Sequence, residues 1–201
     1  ALLFASLTCI LHAQTDVRGK LEAANAAYTA GRMDSAMVLV QEVITMSPEM
    51  AQAYKLRGDI HQREKDLNSA LADYKISEKL DNTDPRLFVS RSALLITDAK
   101  YSAGLREADK ALDLDPKDAD AWYNRSCAQY LAGDGDGALK SAKKAMEVRP
   151  DFAEALYLMG VVKGEQNDEE EGLDDISRAL AAHDLWVEDG APNPLEEVAQ
   201  E

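Results

Sequence analysis

Pro48, Pro116 and Pro150 are separated by 68 and 34 residues, so a 34-residue period runs through the chain. A period of this length marks an array of small supersecondary units. No one of them buries its own apolar face, so the core must be linear and not spherical. The other two members of the proline series are Asn82 and Asp184, both turn-forming residues. Five frames follow without insertion or deletion: 17–50, 51–84, 85–118, 119–152 and 153–186.

The frames agree internally. Their eighth positions read Ala24, Gly58, Ser92, Ser126 and Gly160. The twentieth read Ala36, Ala70, Gly104, Ala138 and Gly172, and the twenty-seventh Val43, Ser77, Ala111, Ala145 and Ala179. Fourteen of these fifteen residues are small, with Val43 the exception. Small side chains at matched positions let two helices approach closely, as a tight hairpin requires. Helix-forming residues dominate and aromatic residues are only 6% of the chain, which favours helices over strands. Leu105, Ala108 and Leu112 recur at helical spacing, as do Leu139, Ala142 and Met146. The turns fall at Gly31-Arg32, Lys65-Asp66, Ala99-Lys100, Gly133-Asp134 and Asn167-Asp168. Gly or Asn at three of the five suits the left-handed residue that closes a helix.

This pattern resembles the tetratricopeptide repeat, which has a large residue at position 4, small residues at 8, 20 and 27, and proline at 32. Frame 4 shows it best, in Trp122, Ser126, Ala138, Ala145 and Arg149-Pro150, whereas frame 1 departs with Lys20 at the large position. The resemblance covers residues 17–186. It implies an all-α fold: an α-solenoid of five helix-turn-helix hairpins, wound as a right-handed superhelix whose first helices line a concave groove. Family geometry then puts Arg18, Asn25, Tyr28, Lys55, Asp59, Arg63 and Arg86 on the N-terminal part of that groove. Tyr123, Cys127, Tyr130, Glu154 and Tyr157 fall on its C-terminal part.

From this set, Tyr28, Lys55, Arg63, Arg86, Tyr123, Tyr130 and Tyr157 are the candidate partner-binding residues. Tyr123 and Tyr130 are two helical turns apart and share one helix face, and Tyr157 is the equivalent of Tyr123 one repeat later. Tyrosine offers large contact area with little rotamer entropy to lose. Some relatives clamp a chaperone's C-terminal carboxylate with paired cations. The matching positions here read Leu21, Asn25, Leu56, Arg86 and Ser90, or Lys55, Asp59, Ser90, Asp120 and Asn124. Neither set has the paired cations.

Several function classes drop out. The net charge is −15, and no cluster of Lys and Arg exists to displace counterions from phosphates, which excludes nucleic acid. From Glu165 to Glu201 there are 13 acidic residues and one basic residue, Arg178, while the other residues hold 24 acidic and 21 basic. The C-terminal end is the acidic pole. His12, His61 and His183 are not at metal-ligand spacing. Gly133-Asp134-Gly135-Asp136-Gly137 lacks the remaining ligands of a calcium loop and falls on a turn. Asp168 to Asp175 reads as a solvated helix start. No phosphate loop or catalytic triad is present. The chain reads as a non-enzyme with no catalytic residue, metal, cofactor or small-molecule substrate, whose partner is another protein or a peptide. The alternative is a structural subunit of an envelope or secretion assembly, docking through the acidic C-terminal face.

Residues 1–13 are free of charge and almost wholly apolar, like the core of a signal peptide whose charged start is missing. Cleavage after Ala13 would leave Gln14 first and Cys127 as the one thiol, and would place the protein across the inner membrane, in the periplasm or envelope. Membrane attachment would then need an uncleaved run, or lipidation at Cys9, whose preceding Ser6-Leu7-Thr8 departs from a lipoprotein signal. Beyond the array, residues 187–201 read as a linker and the start of a capping helix at Asn193-Pro194.

Overall fold

A computed structural model describes the backbone of residues 2–166 and 168–188 and the side chains of residues 15–166 and 168–181. Asn167, the side chains of the apolar run 1–13 and the expected capping helix lie outside the described residues. Among those described, ten α-helices follow one another without a strand. They are α1 (Leu2–Thr29), α2 (Met33–Met46), α3 (Ala51–Arg63), α4 (Leu67–Leu80), α5 (Pro85–Thr97), α6 (Tyr101–Leu114), α7 (Ala119–Leu131), α8 (Gly135–Val148), α9 (Ala153–Glu165) and α10 (Glu169–Glu188). Helices α3, α5, α7 and α9 start 34 residues apart. The last helix runs on through Val187, where the sequence suggests a linker, because its first breaker is Gly190. No helix among the described residues is long and apolar enough to cross a membrane.

The chain divides into two compact units, residues 1–94 and 95–201, with the boundary inside α5. In the first unit α1 pairs with α2, α2 packs on α3, and α3 pairs with α4, while α1 also touches α3. In the second, α6 packs on α7, α7 pairs with α8, α8 packs on α9, and α9 pairs with α10, while α7 touches α9. The hairpins thus stack within each unit, as an array whose units cannot bury their faces alone must do.

All fifteen residues at the eighth, twentieth and twenty-seventh positions are buried, Val43 included. Their size is set by backbone approach. In the fourth hairpin the Ser126 hydroxyl donates to the Ala138 carbonyl at 2.7 Å. In the fifth, a methyl on Gly172 would stand 2.7 Å from the Gly160 carbonyl oxygen.

The first four intra-hairpin turns close the same way. Gly31, Lys65, Ala99 and Gly133 have φ of 71°, 63°, 54° and 86°. At the first turn the Arg32 amide donates to the Ala27 carbonyl at 2.9 Å and the Gly31 amide to Tyr28 at 3.0 Å, and this double bond repeats at Lys65, Ala99 and Gly133. It is the Schellman closure, which satisfies the last carbonyls of the first helix. Lys65 and Ala99 adopt it against their own preference, at about 1–2 kcal/mol each. Ala99→Gly should therefore raise unfolding stability by about 1 kcal/mol, seen as a higher urea midpoint at unchanged slope. A lower midpoint would show that Ala99 is not held left-handed.

A second device repeats on α3, α5 and α7. Arg57 donates to both oxygens of Asp73 at 2.7 and 2.6 Å, and to Gln41 at 2.9 Å, with its guanidinium 5.4 Å from the Tyr54 ring. Arg91 binds Glu78 beside the Phe88 ring. Arg125 binds Asp109 at 2.8 Å and Ser141 at 2.7 Å beside the Trp122 ring. Arg57 and Arg125 each reach the second helix of their own hairpin and that of the preceding one, and Arg91 reaches the preceding one. The planar, multi-donor guanidinium suits this task better than an ammonium.

Candidate partner-binding faces

The first-helix face of unit 1 is built from α1, α3 and the start of α5. The Arg63 guanidinium lies 4.7 Å from the centre of the Tyr28 ring. Arg63 is exposed and makes no ion pair among the described residues. Burial, and then the charge of Asp59, push the Tyr28 hydroxyl above its usual pKa. Lys55 donates to Asp59 at 2.7 Å. Asp59 is itself buried and receives the Tyr74 hydroxyl at 2.8 Å. Tyr74, on α4, is wholly buried, and its ring fills the space left by Gly58.

Arg86 donates to Asp84 through Nε at 3.0 Å and Nη2 at 2.9 Å. Burial opposes ionisation of Asp84, but the bonds from Arg86 prevail and hold its carboxyl below the usual range. Lys55 and Arg86 are therefore each matched by a carboxylate of this chain, and among the three predicted cations only Arg63 is unmatched.

The first-helix face of unit 2 is built from α7 and α9. Tyr123 sits in the seam between hairpins, its ring 5.1 Å from that of Phe152 and among Ala119, Ala145 and Ala155. Burial pushes its hydroxyl well above the usual range. One turn on, burial pushes the Cys127 thiol up to about 11, so it stays protonated and unreactive. Tyr130, like Tyr123 and Cys127, packs on a second cluster, of Ala138, Leu158 and Val162, and its hydroxyl donates to Glu165 at 2.8 Å. That bond, ahead of burial, raises the Tyr130 pKa, and Tyr157 adds to the effect. Tyr157 is 37% exposed and is the one exposed aromatic side chain among the described residues.

Glu165 and Tyr74 had no part in the sequence reading of the face. The first stands next to the turn, and the second belongs to a second helix. At the glycine-rich turn, Asp134 caps α8 by accepting the Gly137 amide at 2.9 Å, so its carboxylate has a structural partner. No group of three or more His, Cys, Asp or Glu among the described residues could hold a metal ion.

A tetratricopeptide-repeat family model matches residues 21–85 and 94–145, more than half of the chain. The chain belongs to the tetratricopeptide-repeat family. No curated protein sequence matches it significantly. Among solved structures it is similar to MamA, with 19% identity and a TM-score of 0.68 over 82% of this chain and 96% of that one. It is also similar to YrrB, described as a repeat protein of this family with an unusual peptide-binding site, at 18% identity and a TM-score of 0.63 over 88% and 91%. PilW, described as a widely conserved type IV pilus biogenesis factor, aligns at 16% identity and a TM-score of 0.75 over 82% and 78%. At these identities the likeness is one of fold. As a tetratricopeptide-repeat protein, the chain is a protein–protein interaction scaffold.

Proposed function

We propose that this scaffold holds an extended peptide or a partner helix against a first-helix face, with Tyr157 the principal contact on the face of unit 2 and Arg63 that on the face of unit 1. The observation that carries the reading is the exposure of Tyr157 on α9, since a buried-capable ring left open is the usual anchor of an interface. Arg63 adds an unpaired guanidinium already flattened on Tyr28. Tyr123 contributes by supporting the seam, and Lys55 and Arg86 by shaping the face.

Tyr157→Ala and Arg63→Glu, made separately and checked for unchanged helicity, should each weaken capture of the native partner. A true anchor costs about 2 kcal/mol, roughly thirtyfold in affinity. Exposed Lys140→Ala should change nothing. If both face variants hold the partner at full strength, the face is not the binding site. The exposed acids at the start of α10, Glu169 and Glu170, then become the leading candidate.

The envelope is the proposed place of work, supported by the apolar run 1–13 and by likeness to a pilus biogenesis factor. Mass spectrometry of secreted protein should find Gln14 as the first residue. Retention of residues 1–13 in the mature protein would mean an anchor.

A further inference from the structure

The two faces differ in how their carboxylates are neutralised. In unit 1, Asp59 has Lys55 and Asp84 has Arg86. In unit 2, Asp120 has Arg149 at 2.9 Å, yet Glu154 and Glu165 form no ion pair among the described residues. Both belong to α9, with Tyr157 and Val161 between them at positions one, two and three turns along one side of the helix. Tyr157 stands one turn from Glu154, while Tyr130 donates its hydroxyl to Glu165 and so holds that carboxylate in place. A methyl added to Gly164 would meet nothing within 4 Å, so the surface beside Glu165 is open.

We infer that this face takes a basic segment of a partner protein, with two Lys or Arg side chains received by Glu154–Tyr157 and by Glu165–Tyr130. The inference rests on the proposed use of the first-helix faces and names the chemistry of their occupant. At Glu154 the open ring of Tyr157 one turn away adds the negative face of a π-system to the ion pair, while at Glu165 the carboxylate held by Tyr130 offers the ion pair. Eleven residues of helix separate Glu154 from Glu165, about 16 Å of rise. An extended chain covers that distance in about five residues. Side chains alternate sides along an extended chain, so two basic residues that both face the helix are spaced at i and i+4, the length of their side chains making up the rest.

The test uses the full chain and short labelled peptides on one Ser/Ala frame, read by fluorescence anisotropy. One peptide carries Arg at i and i+4, one carries Glu there, one carries Gln, and one carries Arg at i and i+1. The first should bind at least about tenfold tighter than the others. Glu154→Gln with Glu165→Gln, and separately Tyr157→Ala, should each remove that advantage. Glu169→Gln with Glu170→Gln, off the face, should leave it intact. Equal binding of the Glu peptide, equal loss in the off-face variant, or no binding of the i, i+4 Arg peptide at about 1 mM overturns the inference. If the Gln or Glu peptide binds and loses affinity with Tyr157→Ala, the face binds peptides but not cations, and the proposed function stands. Peptide binding that is indifferent to both Tyr157→Ala and Arg63→Glu sinks the two together.

Discussion

Arg57→Met should cost unit 1 roughly 3 kcal/mol of stability, one of the two largest single-residue effects expected in this protein. Asp73 is 4% exposed, and both its oxygens take their bonds from Arg57. Removing the guanidinium leaves a buried carboxylate with the His61 Nε2 beside it at 3.8 Å. Methionine keeps most of the aliphatic stem that packs by Tyr54, so the loss reports charge and hydrogen bonds, not volume. Because the pair had to be desolvated, removing both partners should be far milder than removing one. Arg57→Met with Asp73→Leu should recover most of the stability, and urea unfolding of the four proteins gives the coupling directly. A single variant costing under about 0.5 kcal/mol, the range of an ordinary surface change, would mean that water already serves Asp73.

Tyr74→Ala should cost about 4 kcal/mol, since it empties a wholly buried aromatic site. Tyr74→Phe separates the ring from its hydroxyl. It should cost about 1–3 kcal/mol, because Asp59 loses a buried donor and keeps only Lys55. Gly58→Ala probes the same contact from the other side. Its methyl would lie 2.5 and 2.7 Å from Tyr74 ring carbons, and a ring tethered at its hydroxyl cannot swing away. The expected cost is about 1–3 kcal/mol. If Tyr74→Phe were neutral, the hydroxyl would have to be bonding elsewhere than Asp59. Thermal or urea unfolding monitored by circular dichroism decides each case.

The repeat register was legible from residue type alone. Size is a property of the side chain, and the hairpin seam admits only small ones, so Ala24 and Gly160 declare their positions without a structure. The left-handed turns were legible at Gly31 and Gly133 but not at Lys65 and Ala99. There the closure is enforced by hydrogen bonds between flanking helices, which override local preference. Tyr123 and Tyr157 hold the same frame position, yet one is tucked against Phe152 and the other is open. Periodicity places a residue on a helix face, but neighbouring chain decides whether that face is covered. The pairing of Lys55 with Asp59 was available from their four-residue spacing. The arginine ties were also in plain view, as Tyr54-x-x-Arg57, Phe88-x-x-Arg91 and Trp122-x-x-Arg125, but no apolar-period argument looks for polar repeats.

The fifth hairpin lacks such a tie. Met159 stands where the second, third and fourth hairpins have arginine, and Lys163 pairs with Asp175 and Glu171 of its own second helix. The polar bonds from the fourth hairpin to the fifth are at its rim, Tyr130 to Glu165 and Gln166 to Asp136. In a linear array, stability is a sum of unit terms and nearest-neighbour couplings, so a hairpin with weak coupling opens alone before its unit melts. Amide protons of α9 and α10 should accordingly exchange ahead of those of α7 and α8. The face that carries Tyr157 is then the part of the unit whose order a bound partner can most increase, and occupancy would be read as slowed exchange along α9.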